Sequence, residues 1–403
     1  MLESSPALPI VLDYTSRTRG WTTDDENGIL LALQHRTRVR RIRLYVPRLH
    51  EAKLLMAIEM KFPMLECLCI EFSSLMGAHP GLEVQHTLQA PRLCHLALTR
   101  CPFLVASPSL TTCAGLVTLS LMIPSRCRHH PSDLFRRLSL LSQLAMLRIA
   151  YADSLSTDEL EGQQSNTPFI THLTLLNLRL FEFTGHSNYL EIILPWLTTP
   201  LLEKFQITLL PHSIIHHPTY TLPCLLQFMN KADVLGFGSA KLLFNVSRAT
   251  VWIYPREGAR IYVFYLRIIS GPFGRQVSNM ARIFEGLSPA FSMVADLTID
   301  YSEHDPMHEG PGPMQWRDML KSFNRVKILR VHGIFAENFS NSLLSDGEPL
   351  PEVLPELQVL ECPVGCDASD AFAAFVNVRK AAGCPMRLIL VDSPGHSSAS
   401  TGM

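Results

Sequence analysis

Few residues in this chain could do chemistry, and they are poorly spaced for it. His304 and His308 stand four residues apart with Asp305 and Glu309 beside them. On a helix, imidazoles at i and i+4 share one face and could hold a divalent metal. Pro306 breaks such a helix, and the order H-E-x-x-H is absent, so the segment reads as a polar loop. Cys362 and Cys366 have no second pair to complete a tetrahedral site. His129-His130 and His216-His217 sit in proline-bearing stretches and read as solvent-facing. Gly271-Pro-Phe-Gly274 lacks the Lys-Ser or Lys-Thr of a phosphate loop. Ser393 and His396 lie in a Ser- and Gly-rich end without a scaffold for an oxyanion hole. The sequons Asn245-Val-Ser247 and Asn338-Phe-Ser340 matter only in a secreted protein. The expectation is a protein that is not an enzyme, with no catalytic residues, no metal and no cofactor; a hydrolase is the remote alternative.

Recognition is the other chemistry open to the chain, and a repeated element would carry it. Leu65-Glu-Cys-Leu68-Cys-Ile70, Leu93-Cys-His-Leu96-Ala-Leu98 and Leu116-Val-Thr-Leu119-Ser-Leu121 all read L-x-x-L-x-[L/I], and they start 28 and 23 residues apart. Such a hexad recurring at this period is the signature of leucine-rich repeats. Further copies start at Val39, Leu144, Ile170, Leu202, Val294, Val326 and Leu357, and a final strand is expected over Met386 to Val391. In a strand the fourth and sixth positions point to one face, and the third and fifth to the other. The second set would line an open, concave sheet surface: Arg41, Arg43, Cys67, Cys69, His95, Ala97, Thr118, Ser120, Met146, Arg148, His172, Thr174, Lys204 and Gln206, followed by Asp296, Thr298, Ile328, Arg330 and Glu361. The row begins basic, turns small and neutral, and becomes basic again at Arg148 and Lys204. A protein partner with acidic groups toward both ends would fit it; the alternative is a solvated face with no ligand.

One strand cannot bury its leucines alone, so neighbours must stack. The expected fold is therefore α/β: a leucine-rich-repeat solenoid over residues 1–392, with a curved parallel β-sheet on the concave side and helices and loops on the convex side. Residues 393–403 are expected to be a disordered tail. Helical periodicity fills the intervals Asp24–His35, His50–Phe62, Ser132–Leu144, Ser187–Leu197, Met280–Leu287, Gln315–Phe323 and Asp370–Ala382. The stretch 225–290 is the least regular. There Leu242, Phe244 and Val246, then Val251 and Ile253, then Ile261, Val263 and Tyr265 alternate as strands too close for intervening helices.

Composition agrees with a binding scaffold. Apolar residues make up 47 % of the 403 residues, enough for a continuous core, and charged residues only 18 %. Thirty-five basic and 36 acidic side chains leave a net charge of −1, so nothing favours nucleic acid or an anionic membrane. The longest charge-free run, between Lys204 and Lys231, is broken by Pro211, Pro218 and Pro223, which argues against a membrane helix. Ten cysteines in so long a chain read as reduced, small core residues. A cytoplasmic or nuclear location is expected.

Several connecting phrases add to this. Leu8-Pro-Ile-Val-Leu-Asp-Tyr-Thr15, Arg38-Val-Arg-Arg-Ile-Arg43, Phe62-Pro-Met-Leu-Glu66, Gln89-Ala-Pro-Arg-Leu93 and Thr199-Pro-Leu-Leu-Glu203, together with the hexads, resemble the leucine-rich-repeat region of fungal F-box-like proteins. The likeness spans roughly residues 8–270. In that family an N-terminal F-box docks a Skp1-like adaptor of a ubiquitin ligase, and the repeats hold a substrate. The resemblance implies substrate recognition for ubiquitin ligation. Met1 to Pro9 leaves no room for an F-box, so docking of a Skp1-like adaptor is expected only if one is restored upstream. The second expectation is a stand-alone leucine-rich-repeat binding module with no ubiquitin role.

Overall fold

The computed structural model describes residues 8–16, 20–58, 60–73, 88–100, 113–123, 131–151, 172–211, 222–231, 237–255, 261–269, 272–301, 311–332, 339–340, 342–345, 348–349, 353–364 and 368–391. The expected tail at 393–403 lies outside them. The chain forms two compact units, Met1–Phe205 and Gln206–Met403. Both are α/β, and their strands run mostly parallel.

In the first unit the strands are β1 (Ile10–Tyr14), β2 (Val39–Val46), β3 (Cys67–Phe72), β4 (His95–Thr99), β5 (Thr118–Ile123), β6 (Met146–Tyr151), β7 (Leu173–Thr174), β8 (Leu180–Gly185) and β9 (Leu197–Thr198). β10 (Lys204–Leu209) carries the division between the units. The helices are α1 (Thr23–Gln34), α2 (Glu51–Ile58), α3 (Pro131–Leu138) and α4 (Ser187–Ile193). β1, β2, β3, β4, β5, β6 and β8 pair in that order, every pair parallel. The hexads set one register: Ile42, Leu68, Leu96, Leu119, Leu147 and Phe181 stand opposite one another across six strands. Leu44, Ile70, Leu98, Leu121, Ile149 and Phe183 form the next row, and both rows are buried. Residues between them are half-buried or exposed apart from Cys67, so each strand has a core face and an open face.

One expected strand is displaced. The hexad at Ile170 does not join this sheet; Leu173–Thr174 pairs with Leu197–Thr198 in a separate two-stranded sheet. The place beside β6 belongs to β8, whose hexad is Leu178-Arg-Leu-Phe181-Glu-Phe183. Phenylalanine does there what leucine does elsewhere, and Phe181 stacks on Phe205 with ring centroids 5.5 Å apart.

Helix α1 begins where the chemistry of its first turn requires. The Asp25 backbone N–H donates to Thr22 Oγ1 (3.1 Å), and the Thr22 N–H donates back to Asp25 Oδ2 (2.9 Å), a reciprocal cap. One turn on, buried Glu26 ties α1 to α2: its carboxylate lies 3.1 Å from both His50 Nδ1 and Lys53 Nζ. The Lys53 hydrogen bond above all, helped by His50 and opposed by burial, holds the Glu26 carboxyl below its usual range. A carboxylate with a depressed folded-state pKa stabilises above its unfolded value, and that stability is lost as pH falls through the folded value. The melting temperature should therefore fall as the pH drops below the ordinary range of a glutamate carboxyl. Glu26→Gln should melt lower than the parent at pH 7 and show a smaller acid-induced drop; equal drops would remove Glu26 as the cause.

The second unit contains β11 (Phe237–Asn245), β12 (Arg248–Pro255), β13 (Phe264–Ile269), β14 (Asp296–Tyr301), β15 (Ile328–Val331), β16 (Leu344–Ser345), β17 (Glu348–Pro349), β18 (Val359–Pro363) and β19 (Arg387–Val391). Its helices are α5 (Pro223–Lys231), α6 (Phe273–Gly286), α7 (Ser288–Phe291), α8 (Pro313–Leu320) and α9 (Ala368–Ala381). The sheet runs β13-β12-β11-β14-β15-β18-β19. From β11 to β19 through β14, β15 and β18 the pairs are parallel; β11–β12 and β12–β13 are antiparallel. The expected all-parallel sheet is thus interrupted by a meander. The link from β11 to β12 is Val246-Ser247, and a two-residue link can only make a hairpin. Asn245 Oδ1 closes the turn by accepting from the N–H groups of Ser247 (3.1 Å) and Arg248 (2.9 Å).

β13 is one residue out of the expected phase. Phe264, Leu266 and Ile268 are buried, whereas Val263 and Tyr265 are half-buried on the open face. Both sets are apolar, and Arg267 marks the second as the open side. The core side holds a ring cluster: Trp316 of α8 and Phe273 of α6 pack on Phe244 of β11.

Candidate recognition surface

The open face of the first unit brings most of the expected residues together. Arg41, Cys67, His95, Thr118 and Met146 stand in one row across β2 to β6. Arg43, Cys69, Ala97, Ser120, Arg148 and Glu182 stand in the next, which continues onto β8. His172 and Thr174 are not part of it, since they belong to the small β7–β9 sheet. Lys204 and Gln206 are half-buried on β10, one in each unit.

The charge pattern differs from the one expected. Arg43 faces Asp13 at 4.0 Å, and Arg148 Nε lies 2.9 Å from Glu182 Oε2. Both acids sit on the neighbouring strand in matched register. The second row is therefore internally neutralised at Arg43 and Arg148, and Arg41 stands exposed on the first. Exposed cross-strand pairs such as these add little to stability, about 0–1 kcal/mol each. In the middle of the face, the Cys67 and Cys69 sulfurs lie 3.7 Å apart. Burial first, and the neighbouring Cys67 second, push the Cys69 thiol up to about 11. A thiol so raised stays protonated at neutral pH and is a poor nucleophile, which fits a packing role.

On the open face of the second unit, Tyr265, Trp252, Lys241, Thr298, Arg330, Glu361 and Ile389 follow one another at matched register. The expected Asp296, Arg330 and Glu361 form one network: Arg330 pairs with Asp296 and donates to Glu361 Oε2 at 2.7 Å. Lys241 pairs with Asp300 at 3.3 Å. Asp296 foremost, with Glu361, raises the Arg330 pKa still further, so the guanidinium keeps its charge.

An aromatic cluster that the hexad pattern does not reveal also lies on this face. Trp252 packs edge-on against Tyr265 at 5.8 Å, Tyr262 lies 5.7 Å from Tyr265, and the Arg267 guanidinium carbon is 5.3 Å from the Tyr265 ring centre. Gln206 Nε2 donates to Tyr262 Oη at 3.2 Å. The signal was present in Val251-Trp-Ile-Tyr254, where aromatic residues alternate with core aliphatics.

Elsewhere, α6 and α8 border an open groove of about 530 Å3 lined by Ser278, Arg282, Glu285, Gln315, Asp318 and Lys321. Among the described residues no three His, Cys, Asp or Glu side chains are grouped to hold a metal. His304, His308 and Cys366 lie outside them. No described helix is long and apolar enough to cross a membrane. Fold and surface together define an α/β protein with mostly parallel strands, whose open faces are polar in the first unit and partly aromatic in the second. No protein-family model matches this chain, and no curated protein does.

Proposed function

We propose that this chain is a protein–protein interaction scaffold. In this reading it is a leucine-rich-repeat solenoid whose open sheet face is the concave recognition surface, serving substrate recognition in an F-box-type ubiquitin ligase. The observation that supports it most is the shared register of the hexads. Ile42, Leu68, Leu96, Leu119 and Leu147 stack across successive parallel strands, so the residues between them form one continuous surface. A continuous sheet side presenting small and polar groups offers the kind of extended surface on which stacked repeats hold a protein partner.

Proximity labelling in cells with the double variant Arg41→Glu, His95→Glu tests the surface. Both side chains are exposed, so the melting temperature should not change, while captured partners should be depleted. An unchanged partner set from a folded double variant would remove this face as the binding site. For the ubiquitin role, depleted partners should accumulate when the chain is deleted. If they do not, the scaffold stands without ligase chemistry.

A further inference from the structure

We propose that the second unit carries its own peptide-docking surface, on the open face of β11, β12 and β13. Its occupant is a segment of a partner protein that presents a carboxylate next to an apolar or aromatic side chain. The inference does not depend on the row of the first unit.

Composition comes first. Trp252, Tyr254, Tyr262 and Tyr265 are half-buried side chains on adjoining strands or the link leading into them, and Tyr265 meets Trp252 edge-on at 5.8 Å and Tyr262 tilted at 5.7 Å. Tryptophan, tyrosine and arginine dominate binding hot spots, because large rings with two torsions bury much area at little entropic cost. Holding the rings against one another reduces that cost further.

Charge then selects the occupant. The other strand-borne cations toward the centre of this face are already answered, Lys241 by Asp300 and Arg330 by Asp296 and Glu361. Arg267 is different. Its guanidinium rests on the Tyr265 ring, its Nε is buried, and among the described residues that Nε has no hydrogen-bond partner. Stacking on a ring face satisfies the plane of a guanidinium; Nε is closed off from any partner, and the terminal N–H groups of this half-buried side chain are left to meet an acceptor. Arg248 stands opposite Ile269, diagonal to Arg267 on the same face, and is exposed. Two arginines thus mark one end of the aromatic stripe, and no acidic side chain pairs with either among the described residues. A carboxylate matches the single half-buried charge of Arg267. A phosphate dianion would leave its second charge poorly compensated there, because Arg248 is solvated.

Panning a display library of random 12-residue peptides against the full chain tests this. Enriched peptides should share Asp or Glu adjacent to Trp, Tyr, Phe or Leu. For a synthetic peptide of the enriched sequence, Kd should rise about 10-fold or more in Arg267→Gln, and likewise when the peptide's acid is replaced by its amide. The two changes together should cost no more than either alone, the mark of a direct pair. Trp252→Ala should weaken binding as well, with circular dichroism confirming that both variants fold. Peptides without an enriched acid, unchanged affinity in folded Arg267→Gln, or binding only by phosphorylated peptide would each overturn the proposal. Loss of the peptide on Arg41→Glu, with Arg267→Gln neutral, would overturn it while leaving the scaffold reading intact.

Discussion

Trp316→Ala should destabilise the second unit by about 3–5 kcal/mol, among the largest losses a single core truncation produces. The side chain is fully buried, and its ring meets Phe244, Phe273 and Phe339 nearly edge-on at 5.8, 5.7 and 5.0 Å. Each such contact contributes beyond area burial, by about 0.5–1.5 kcal/mol. These rings come from a strand, a helix and a later segment, so one truncation loosens three connections at once. Chemical denaturation should show a lower midpoint with little change in slope. Trp316→Phe, which keeps a ring in place, should lose distinctly less. An alanine variant within 1 kcal/mol of the parent, an order-of-magnitude threshold for a surface change, would mean that the cluster does not hold α8 to the sheet.

Leu119→Ala should cost the first unit about 2–5 kcal/mol. Leu119 is completely buried and stands between Leu96 and Leu147 in the ladder. Parallel strands in matched register give a cavity no easy way to collapse, since moving one strand disturbs the pairing on both sides. If the strands behave as the proposed repeat array, each answers mainly to its neighbours. Amide hydrogen exchange should therefore accelerate most in β4, β5 and β6 and progressively less toward β1. Uniform acceleration across all these strands would contradict nearest-neighbour coupling.

Much of this order was legible in the sequence, and particular residues show why. β3 to β6 follow directly from their hexads because leucine or isoleucine occupies both inward positions and mostly small or polar residues lie between. β8 was hidden because Phe181 and Phe183 replace the leucines, while Ile170 to Leu175 offered a cleaner hexad nearby. Leu173 and Leu175 are indeed buried, but in and beside a two-stranded sheet rather than in the main ladder. The phase of β13 was missed because Ile261, Val263 and Tyr265 alternate just ahead of it, although Arg267 marks that side as the open one. The charges of the first-unit row were misjudged for another reason. Arg148 meets Glu182 only because β8, not β7, lies beside β6, and no spacing along the chain reveals which strand is the neighbour. The same holds for Trp252 and Tyr265, brought together by the antiparallel register of β12 and β13.

The hairpin of β11 and β12 has a kinetic consequence. Its strands meet through a two-residue turn already shaped by Asn245, so pairing requires almost no loop closure, and such hairpins form in about 1–10 μs. Every parallel pair of the first unit must instead close a long excursion before its first ladder bond can form, which costs chain entropy in advance. The second unit thus contains a local nucleus onto which β14 can add directly along β11. Buried Gln276 of α6 donates to the Asn245 carbonyl at 2.8 Å, so the first helix to dock would lock the turn behind it. Substitutions at Asn245 should accordingly be felt in the rate of folding of this unit as well as in its stability.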